Sequence, residues 1–455
     1  MTGPGATAPD PAAEFARVEA ELRTRWPESQ LEPSRDRVAA LVDLLGRPQA
    51  SYPVVHITGT NGKTSTTRMV DALLREFGLR VGRFTSPHLT SVTERIAVDG
   101  RPIDTERFVQ IYDEIAPYLE LVDKEQPLRL TYFEVLTAMA FVAFADTPVD
   151  VAVVEVGMGG RWDSTNVADA KVAVVTPISI DHANYLGGTV EAIAGEKAGI
   201  IKAGSVAVLA EQPPTAAEVL VRRAAEVGAE VAREGAEFGV FRRLVALGGQ
   251  QLLLRGLGGM YDDIFLPLHG AHQAQNAACA LAAVEAFFGA GAAGSLDLET
   301  VRGGFGAVTS PGRLETVRTA PTVLLDAAHN PAGMAATVTA LGEAFDFRRL
   351  VGVVAVLSDK DVPGMLTVLE PVLDEIVVTG NSSPRALPPD DLAGLAVEAF
   401  GADRVVVEPR LDDAIEQAVR LAEEGADTLS GAGVLVTGSV VTVGEARTLL
   451  ARPSP

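Results

Sequence analysis

Apolar residues along this chain form short continuous runs that alternate with amphipathic stretches. The runs at 149–156 and 172–180 predict strands buried on both faces of a parallel sheet. The stretch after a further strand at 52–57 has the spacing of one helix face, with apolar residues at Val70, Leu73, Leu74 and Phe77. Strands that alternate with helices predict an α/β fold.

The pattern changes twice along the chain. Glycine-separated β-type runs near 232–268 predict a small hairpin-rich insertion. A Ser-Pro-Gly-Arg segment at 310–313 then precedes a new alternation, with strands predicted at 322–326, 350–357, 375–379, 404–408 and 433–437. We therefore predict a tail over 1–13, a first domain over 14–311 that contains the insertion, and a smaller Rossmann-like second domain over 312–455.

Composition narrows the class of protein. The chain has 455 residues and a net charge of −22, and it lacks the dense Lys/Arg cluster of a nucleic-acid binder. No apolar span is long enough for a membrane helix, and the N-terminal residues do not resemble a signal peptide. The single cysteine, Cys279, lies in an Ala-rich helical stretch and predicts a core position. These features favour a cytoplasmic globular protein that acts on small molecules.

The strongest local signal is Thr-Gly-Thr-Asn-Gly-Lys-Thr at 58–64, between a strand and a helix. Glycines and a helix N-terminus suit an anion, a lysine can reach β- and γ-phosphates, and a threonine hydroxyl can bind Mg²⁺. The general loop has glycine where this chain has Ile57, so the match is to a shorter form of the motif. The predicted nucleotide-binding residues of this loop are Gly59, Thr60, Asn61, Gly62, Lys63 and Thr64.

Further motifs follow this loop in a fixed order. They include TSPHL at 85–89, EVGMGGRWDSTN at 155–166, GEKAGIIK at 195–202 and DAAHNP at 326–331. The set resembles the folylpolyglutamate synthase and dihydrofolate synthase family of the Mur ligase superfamily. The resemblance implies an N-terminal P-loop ATPase domain, a C-terminal Rossmann-like domain and an ATP-dependent amide ligase that works as a monomer. At GSVVTVGE, Val441 stands where the family more often has an aromatic residue.

The chemistry of such a ligase requires an activated acid. A carboxylate is a poor electrophile, and the family transfers the γ-phosphate of ATP to it before glutamate attacks. Because ATP and the acid are both anions, metal ions are expected to neutralise their repulsion. The resemblance implies two Mg²⁺ ions with Ser86, Glu155 and His182 as protein ligands, although nitrogen is an unusual ligand for Mg²⁺.

The resemblance assigns the remaining residues too. Lys63, Lys197 and His329 are the expected catalytic residues, with Lys197 as an N6-carboxylysine and His329 also beside the incoming glutamate. Asn276, Arg313 and Asp326 match the nucleotide contacts. Asp163 matches a pteroate contact, and Phe133 is a candidate for stacking on the pterin ring.

Three interpretations remain open on the sequence. The first is a ligase that adds L-glutamate to folate, to dihydropteroate or to both, and the sequence does not decide among these. The second is a Mur-type ligase for UDP-muramoyl peptides, against which TSPHL and GEKAGI argue. The third is a non-catalytic ATP-sensing module, which requires the loss of a catalytic group.

Overall fold

A computed structural model describes residues 10–27, 32–289, 291, 294–424 and 431–450. The chain divides into two compact units, neither of which is continuous in sequence. The first unit comprises Met1–Ser86, Val92–Glu237 and Cys279–Leu296. The second unit comprises Pro87–Ser91, Phe238–Ala278 and Asp297–Pro455.

The first unit is built on an eight-stranded sheet. Its strands are β1 (Val54–Thr58), β2 (Val81–Phe84), β3 (Ile96–Val98), β4 (Arg101–Pro102), β5 (Val151–Glu155), β6 (Val172–Val175), β7 (Val206–Leu209) and β8 (Glu230–Arg233). The strand order is β4-β3-β2-β5-β1-β6-β7-β8. Strand β3 pairs antiparallel with both β2 and β4 at one edge, and all the other pairs are parallel. The carboxyl ends of β1, β5 and β6 are therefore neighbours.

Helices cover this sheet. They are α1 (Pro11–Arg23), α2 (Asp36–Leu44), α3 (Lys63–Glu76), α4 (Thr105–Glu125), α5 (Tyr132–Asp146), α6 (Ala183–Leu186), α7 (Val190–Lys197) and α8 (Pro214–Val227). One apolar cluster joins Phe108 and Phe141 to Val154 of β5. A second cluster joins Ile193 and Leu220 to alternate residues of β6 and β7. Burial of these side chains holds the strand ends in fixed positions.

A small antiparallel sheet and a long helix precede the main sheet of the second unit. A three-stranded antiparallel sheet contains β9 (Gly239–Ala246), β10 (Gly249–Arg255) and β11 (Met260–Leu266), in the order β11-β10-β9. Helix α9 (Ala271–Phe288) follows it and contributes residues to both units. The antiparallel sheet belongs to the second compact unit. The sequence placed the insertion within the first domain, and those domain bounds remain a prediction. Local periodicity shows where strands form and carries no information about which distant segment they pack against.

A six-stranded mixed sheet forms the rest of the second unit. Its strands are β12 (Glu315–Thr319), β13 (Thr322–Leu325), β14 (Arg349–Val354), β15 (Glu375–Val378), β16 (Val405–Val407) and β17 (Ala432–Thr437), in the order β12-β13-β17-β14-β15-β16. Strand β12 is antiparallel to β13, and the other pairs are parallel. The helices are α10 (Leu298–Gly306), α11 (Pro331–Ala344), α12 (Val362–Leu369), α13 (Pro389–Phe400), α14 (Leu411–Glu424) and α15 (Val440–Leu450).

Alternation along β14 explains the layering of this sheet. Leu350 and Val354 belong to one apolar cluster, and Val351 and Val353 belong to another. Successive side chains of a strand point to opposite faces, so both faces of the sheet are covered. The α/β fold predicted from the alternating pattern is confirmed.

Two sequence predictions concern the chain ends and membranes. The predicted tail over 1–13 extends too far, because Asp10 caps α1 through the Ala12 amide and Pro11 occupies the first helical position. Residues 1–9 of that prediction lie outside the described residues. Within the described ranges, none of the helices combines the length and apolar character that a bilayer crossing demands.

Candidate active site

The predicted phosphate loop connects β1 to α3 in the first unit, as its strand-loop-helix pattern indicates. Gly62 has φ of +89°, and Gly59 has φ of +149°. A Cβ atom on Gly59 would lie 1.8 Å from Thr176 Oγ1, so only glycine fits this contact with the end of β6. The amides of Thr60 and Asn61 donate to the Pro177 carbonyl at 3.0 and 3.4 Å. The loop is therefore fastened to the neighbouring strand, and α3 begins directly after it at Lys63.

Two lysines converge on this loop. Lys197 Nζ donates to the Gly59 carbonyl at 2.7 Å, and Lys63 Nζ donates to the same oxygen at 3.2 Å. Lys197 is 3% exposed at the C-terminal end of α7. Burial lowers the pKa of Lys197 well below its usual value, and the positive charge of Lys63 lowers it further. Asp181 and Asp163 act in the opposite direction.

Glu155 links the phosphate loop to the segment after β2. It ends β5, is 1% exposed and accepts a 2.8 Å hydrogen bond from the Thr64 hydroxyl on Oε1. Its Oε2 accepts from the Ser86 amide at 3.3 Å. The structure thus brings together Ser86 and Glu155 of the predicted metal set. Carboxylate and hydroxyl oxygens are ligands that Mg²⁺ prefers, so this donor set fits the ion.

His182 precedes the short helix α6 and has a left-handed backbone with φ of +52°. Its amide donates to Asp181 Oδ1 at 2.8 Å, and its Nε2 lies 4.0 Å from Asp181 Oδ2. Among the residues that the structure describes, no group of three or more His, Cys, Asp or Glu side chains is arranged to hold a metal. The predicted set of Ser86, Glu155 and His182 contains only two residues of those types.

Asp163 holds together the loop after β5. Its Oδ2 accepts from the Met158 amide at 2.9 Å, and its Oδ1 accepts from the Thr165 amide at 2.9 Å and the Thr165 hydroxyl at 2.5 Å. Burial raises its pKa, against the effect of these hydrogen bonds. Asp163 is 3% exposed, so its contacts in this structure are those of a loop-positioning residue.

Phe133 lies next to this loop. Its ring centroid is 5.6 Å from that of Phe84, and the two rings are tilted by 36°. A Cβ atom on Gly157 would lie 2.5 Å from Phe133 Cζ, so the glycine allows the loop to pass over the ring. The ring is half-buried.

Sequence reasoning missed His56, which lies in β1 below the phosphate loop. Its Nε2 is 2.8 Å from the Thr165 hydroxyl. Because that hydroxyl donates to Asp163, it accepts from His56, and the ring is therefore protonated on Nε2. Burial and Lys202 lower the pKa of His56 to about 3. A histidine within an apolar strand carries no sequence signal of this contact.

In the second unit, Asp326 follows β13, where a carboxylate could meet ribose hydroxyls. Its Oδ2 accepts from the Leu314 amide at 2.9 Å, and its Oδ1 accepts from the Ala328 amide at 3.0 Å and the Thr337 hydroxyl at 2.8 Å. Arg313 directly precedes Leu314 and donates to the Gly312 carbonyl at 3.0 Å. The Asp326 carboxylate thus fixes the segment that carries Arg313.

His329 follows Asp326 by three residues. Its Nδ1 lies 3.0 Å from the Ala327 carbonyl, which can only accept, so Nδ1 carries the proton. Asn330 caps α11 by accepting from the Gly333 amide, with Pro331 at the first helical position.

Asn276 and His272 occupy the first half of α9. Asn276 is 4% exposed and donates to Gln273 Oε1 at 3.1 Å. His272 was not among the sequence candidates. Burial lowers its pKa, and the charge of Asp326 opposes that shift. This charge interaction indicates that the start of α9 lies close to Asp326 within the second unit.

Comparison with known proteins identifies the family. The Mur ligase middle domain matches residues 57–284, and the Mur ligase glutamate ligase domain matches residues 312–440. The chain is 56% identical over 464 residues to the dihydrofolate synthase/folylpolyglutamate synthase of Mycobacterium tuberculosis, covering 98% of this chain and 95% of that protein.

Solved structures agree with this assignment. The Mycobacterium tuberculosis folylpolyglutamate synthase complexed with ADP has a TM-score of 0.94 and 56% identity, covering 98% of this chain and 100% of that one. Escherichia coli FolC in complex with DHPP and ADP has a TM-score of 0.83 and 30% identity, covering 97% and 99%. The chain therefore belongs to the dihydrofolate synthase/folylpolyglutamate synthase family of Mur-type ligases.

Proposed function

We propose that this chain is an ATP-dependent ligase that adds L-glutamate to folates and to dihydropteroate. A carboxylate oxygen of the acceptor attacks the γ-phosphorus of ATP, and the bond to the β-phosphate oxygen breaks to release ADP. The amine of glutamate then attacks the acyl carbon, loses a proton and expels inorganic phosphate. The family relationship supports the reaction, and one observation supports its location. That observation is the pair of lysines on the Gly59 carbonyl.

The phosphate loop supplies the positive field for this transfer. Lys63 is placed to reach the β- and γ-phosphates once ATP displaces its contacts with the loop carbonyls. The α3 N-terminus adds its dipole. In an acidic protein, this local field brings two anions together. Thr60, Asn61 and Gly62 form the rest of the loop.

The proposed metal residues are Ser86, Glu155 and His182, with the Thr64 hydroxyl beside Glu155. Bound Mg²⁺, for which we expect two ions, would neutralise phosphate charge during the transfer. The Ser86 amide and Thr64 hydroxyl hold the Glu155 carboxylate in one orientation. His182 offers a nitrogen, which is a less favoured ligand than oxygen.

Carbamylation of Lys197 is part of the proposal. The lowered pKa of this amine favours its neutral form, whose lone pair can attack CO₂. The new N–C bond gives a carbamate anion, and one proton leaves the nitrogen. This changes a buried amine into an anionic group with two acceptor oxygens beside the phosphate loop.

The proposed ATP contacts in the second unit are Asn276, Arg313 and Asp326. Asp326 is well fixed for such a role, since both its oxygens bind backbone or hydroxyl donors. We assign His329 to the incoming glutamate, because the contact of its Nδ1 with the Ala327 carbonyl fixes the orientation of the ring. Asp163 and Phe133 are assigned to the pterin end, with Asp163 acting through the loop it positions.

One experiment tests the function and its acceptor. Purified protein is incubated with ATP, Mg²⁺ and L-glutamate, with either dihydropteroate or tetrahydrofolate as acceptor, and products are resolved by mass. We expect both acceptors to gain glutamate, with one ADP released per addition. A gain on only one acceptor would refute bifunctionality. ADP release with UDP-muramoyl peptides alone would support the other ligase class, and no glutamate-dependent ADP release with any acceptor would support an ATP sensor.

A further inference from the structure

A pocket of about 530 Å³ lies in the first unit, beside the loop after β5 and between α7 and α8. Five cationic side chains and a single carboxylate line it, and we call it the basic pocket. These charged residues are Arg35, Arg161, Lys202, Arg222, Arg223 and Glu226. The chain has a net charge of −22, whereas the charged residues that line this pocket are mainly positive. Its volume is within the range of small-molecule sites.

The arginines of α8 have hydrogen-bonding capacity to spare. Arg222 lies 3.6 Å from Glu218, and Arg223 lies 4.0 Å from Glu226, both beyond hydrogen-bond length. Arg223 Nε is shielded from solvent and has no hydrogen-bond partner among the described residues. Each guanidinium has five N–H donors, so this pair suits carboxylate or phosphate oxygens.

Lys202 and Arg161 play a different part. Lys202 Nζ donates to the carbonyls of Asn166 and Ala168 and to the Asp169 carboxylate, at 2.8 to 3.0 Å. One arm of Arg161 donates to the Gly195 carbonyl at 3.2 Å. These two cations therefore build the wall and contribute mainly their field, while the α8 arginines offer free donors.

Asn166 contributes a hydrogen-bond acceptor to the pocket, whereas the arginines contribute donors. It lines the pocket, is 2% exposed and donates to the Arg161 and Gly199 carbonyls at 3.2 and 3.1 Å. Its Oδ1 has no partner among the described residues. A buried acceptor without a donor is costly, so a matching ligand carries a hydrogen-bond donor, such as an amide N–H group. Phosphate and pyrophosphate lack such a group.

We propose that the basic pocket binds a short oligocarboxylate that contains amide N–H groups, of the kind that a chain of linked glutamates presents. Its carboxylates meet Arg222 and Arg223, and an amide N–H meets Asn166 Oδ1. The choice of glutamate units draws on the proposed function, but the binding site is separate from the phosphate loop.

The test is calorimetric titration of the full chain with tri-γ-glutamate, with a non-hydrolysable ATP analogue present to fill the phosphate loop. We expect saturable binding that weakens at least tenfold in Arg222→Gln/Arg223→Gln. The control variant Lys124→Gln/Arg129→Gln removes two exposed, ion-paired cations elsewhere in the same unit and is expected to bind normally. Equal binding by wild type and the pocket variant would overturn the proposal.

A second variant keeps every charge. Gly195 lines the pocket, and a Cβ atom there would meet nothing within 4 Å, so we expect the side chain of Gly195→Leu to occupy pocket volume. We expect it to weaken tri-γ-glutamate binding at least tenfold. Tricarballylate, which has three carboxylates and no amide, is expected to bind wild type more weakly than tri-γ-glutamate. Pyrophosphate or tricarballylate binding as tightly as the peptide would overturn the role of Asn166. Because the readout is binding, failure here leaves the ligase assignment to its own test.

Discussion

Lys197 Nζ donates a 2.7 Å hydrogen bond to the carbonyl oxygen of Gly59, and this contact joins the end of α7 to the phosphate loop. The same oxygen accepts from Lys63. Burial lowers the pKa of Lys197, and repulsion by the neighbouring charge of Lys63 lowers it further. A lysine in this position is poised to lose its charge or to exchange it for that of a carbamate.

Replacing Lys197 tests the carbamate directly. Lys197→Ala is expected to lower kcat by about 10³-fold, the effect of about 4 kcal/mol of lost transition-state stabilisation. Added acetate or propionate should restore part of the activity by supplying carboxylate oxygens. Lys197→Arg keeps a cation and a donor for Gly59 but cannot form a carbamate. Steady-state ADP release measures the activity of Lys197→Ala, of the same variant with added carboxylate, and of Lys197→Arg. Near-normal activity of Lys197→Arg would exclude the modification.

Gly59 is expected to tolerate no side chain. In Gly59→Ala the added Cβ would overlap Thr176 Oγ1, so either the loop or the end of β6 must move. Overpacking of this kind costs about 1–3 kcal/mol, and ATP affinity should fall with it. Gly188→Ala is the matched control, since a Cβ there meets nothing within 4 Å. Urea unfolding and nucleotide titration compare the two variants, and a normal Gly59→Ala protein would show that the loop is not held as described.

Glu155→Gln removes the negative charge while keeping an oxygen that can accept from Thr64. Since the amide cannot replace a carboxylate near phosphate-bound Mg²⁺, we expect kcat/KM to fall by about 10³-fold with little loss of folding stability. The Mg²⁺ concentration for half-maximal rate should rise. The exposed Glu191→Gln on α7 serves as the control. An unchanged Mg²⁺ dependence in Glu155→Gln would remove this residue from the metal set.

His56 predicts a dependence of stability on pH. Its folded pKa of about 3 is below the unfolded value near 6.5, so the unfolded chain binds more protons between these values. Its contribution to stability is therefore complete above pH 6.5 and is lost as the pH falls toward 3. At pH 5 the loss is about 2 kcal/mol relative to pH 7.5.

His56→Gln keeps an N–H donor for Thr165 but does not titrate. Urea unfolding at pH 7.5 and pH 5 should show a smaller pH-dependent loss for this variant than for wild type. The same loss in both proteins would mean that His56 is not the buried neutral ring inferred from its contacts.

The alternating pattern was sufficient to predict the α/β fold, because buried strands and amphipathic helices leave local signals. The phosphate loop was equally visible, since glycine and lysine spacing is a local property of the chain. The sequence could not show that Lys197 contacts Gly59, because that hydrogen bond joins residues separated by 138 positions. For the same reason, only the structure shows that Thr165 connects His56 to Asp163 by hydrogen bonds. The contacts of β9–β11 with the second unit are likewise visible only in the structure.

Residue roles taken from the resemblance remain predictions. Asp163 and Asp326 illustrate why, since both use their oxygens to hold backbone segments in this structure. A loop-positioning carboxylate and a ligand-binding carboxylate have the same sequence signature. Only a measured change in acceptor or nucleotide binding separates the two roles.

The central claim is that ATP activates the acceptor acid through an acyl phosphate. It is tested most directly by labelling the reacting carboxylate with ¹⁸O and analysing the released phosphate by mass. We predict one ¹⁸O atom in inorganic phosphate for each glutamate added, with the second retained in the new amide. Unlabelled phosphate accompanied by normal product formation would contradict the mechanism.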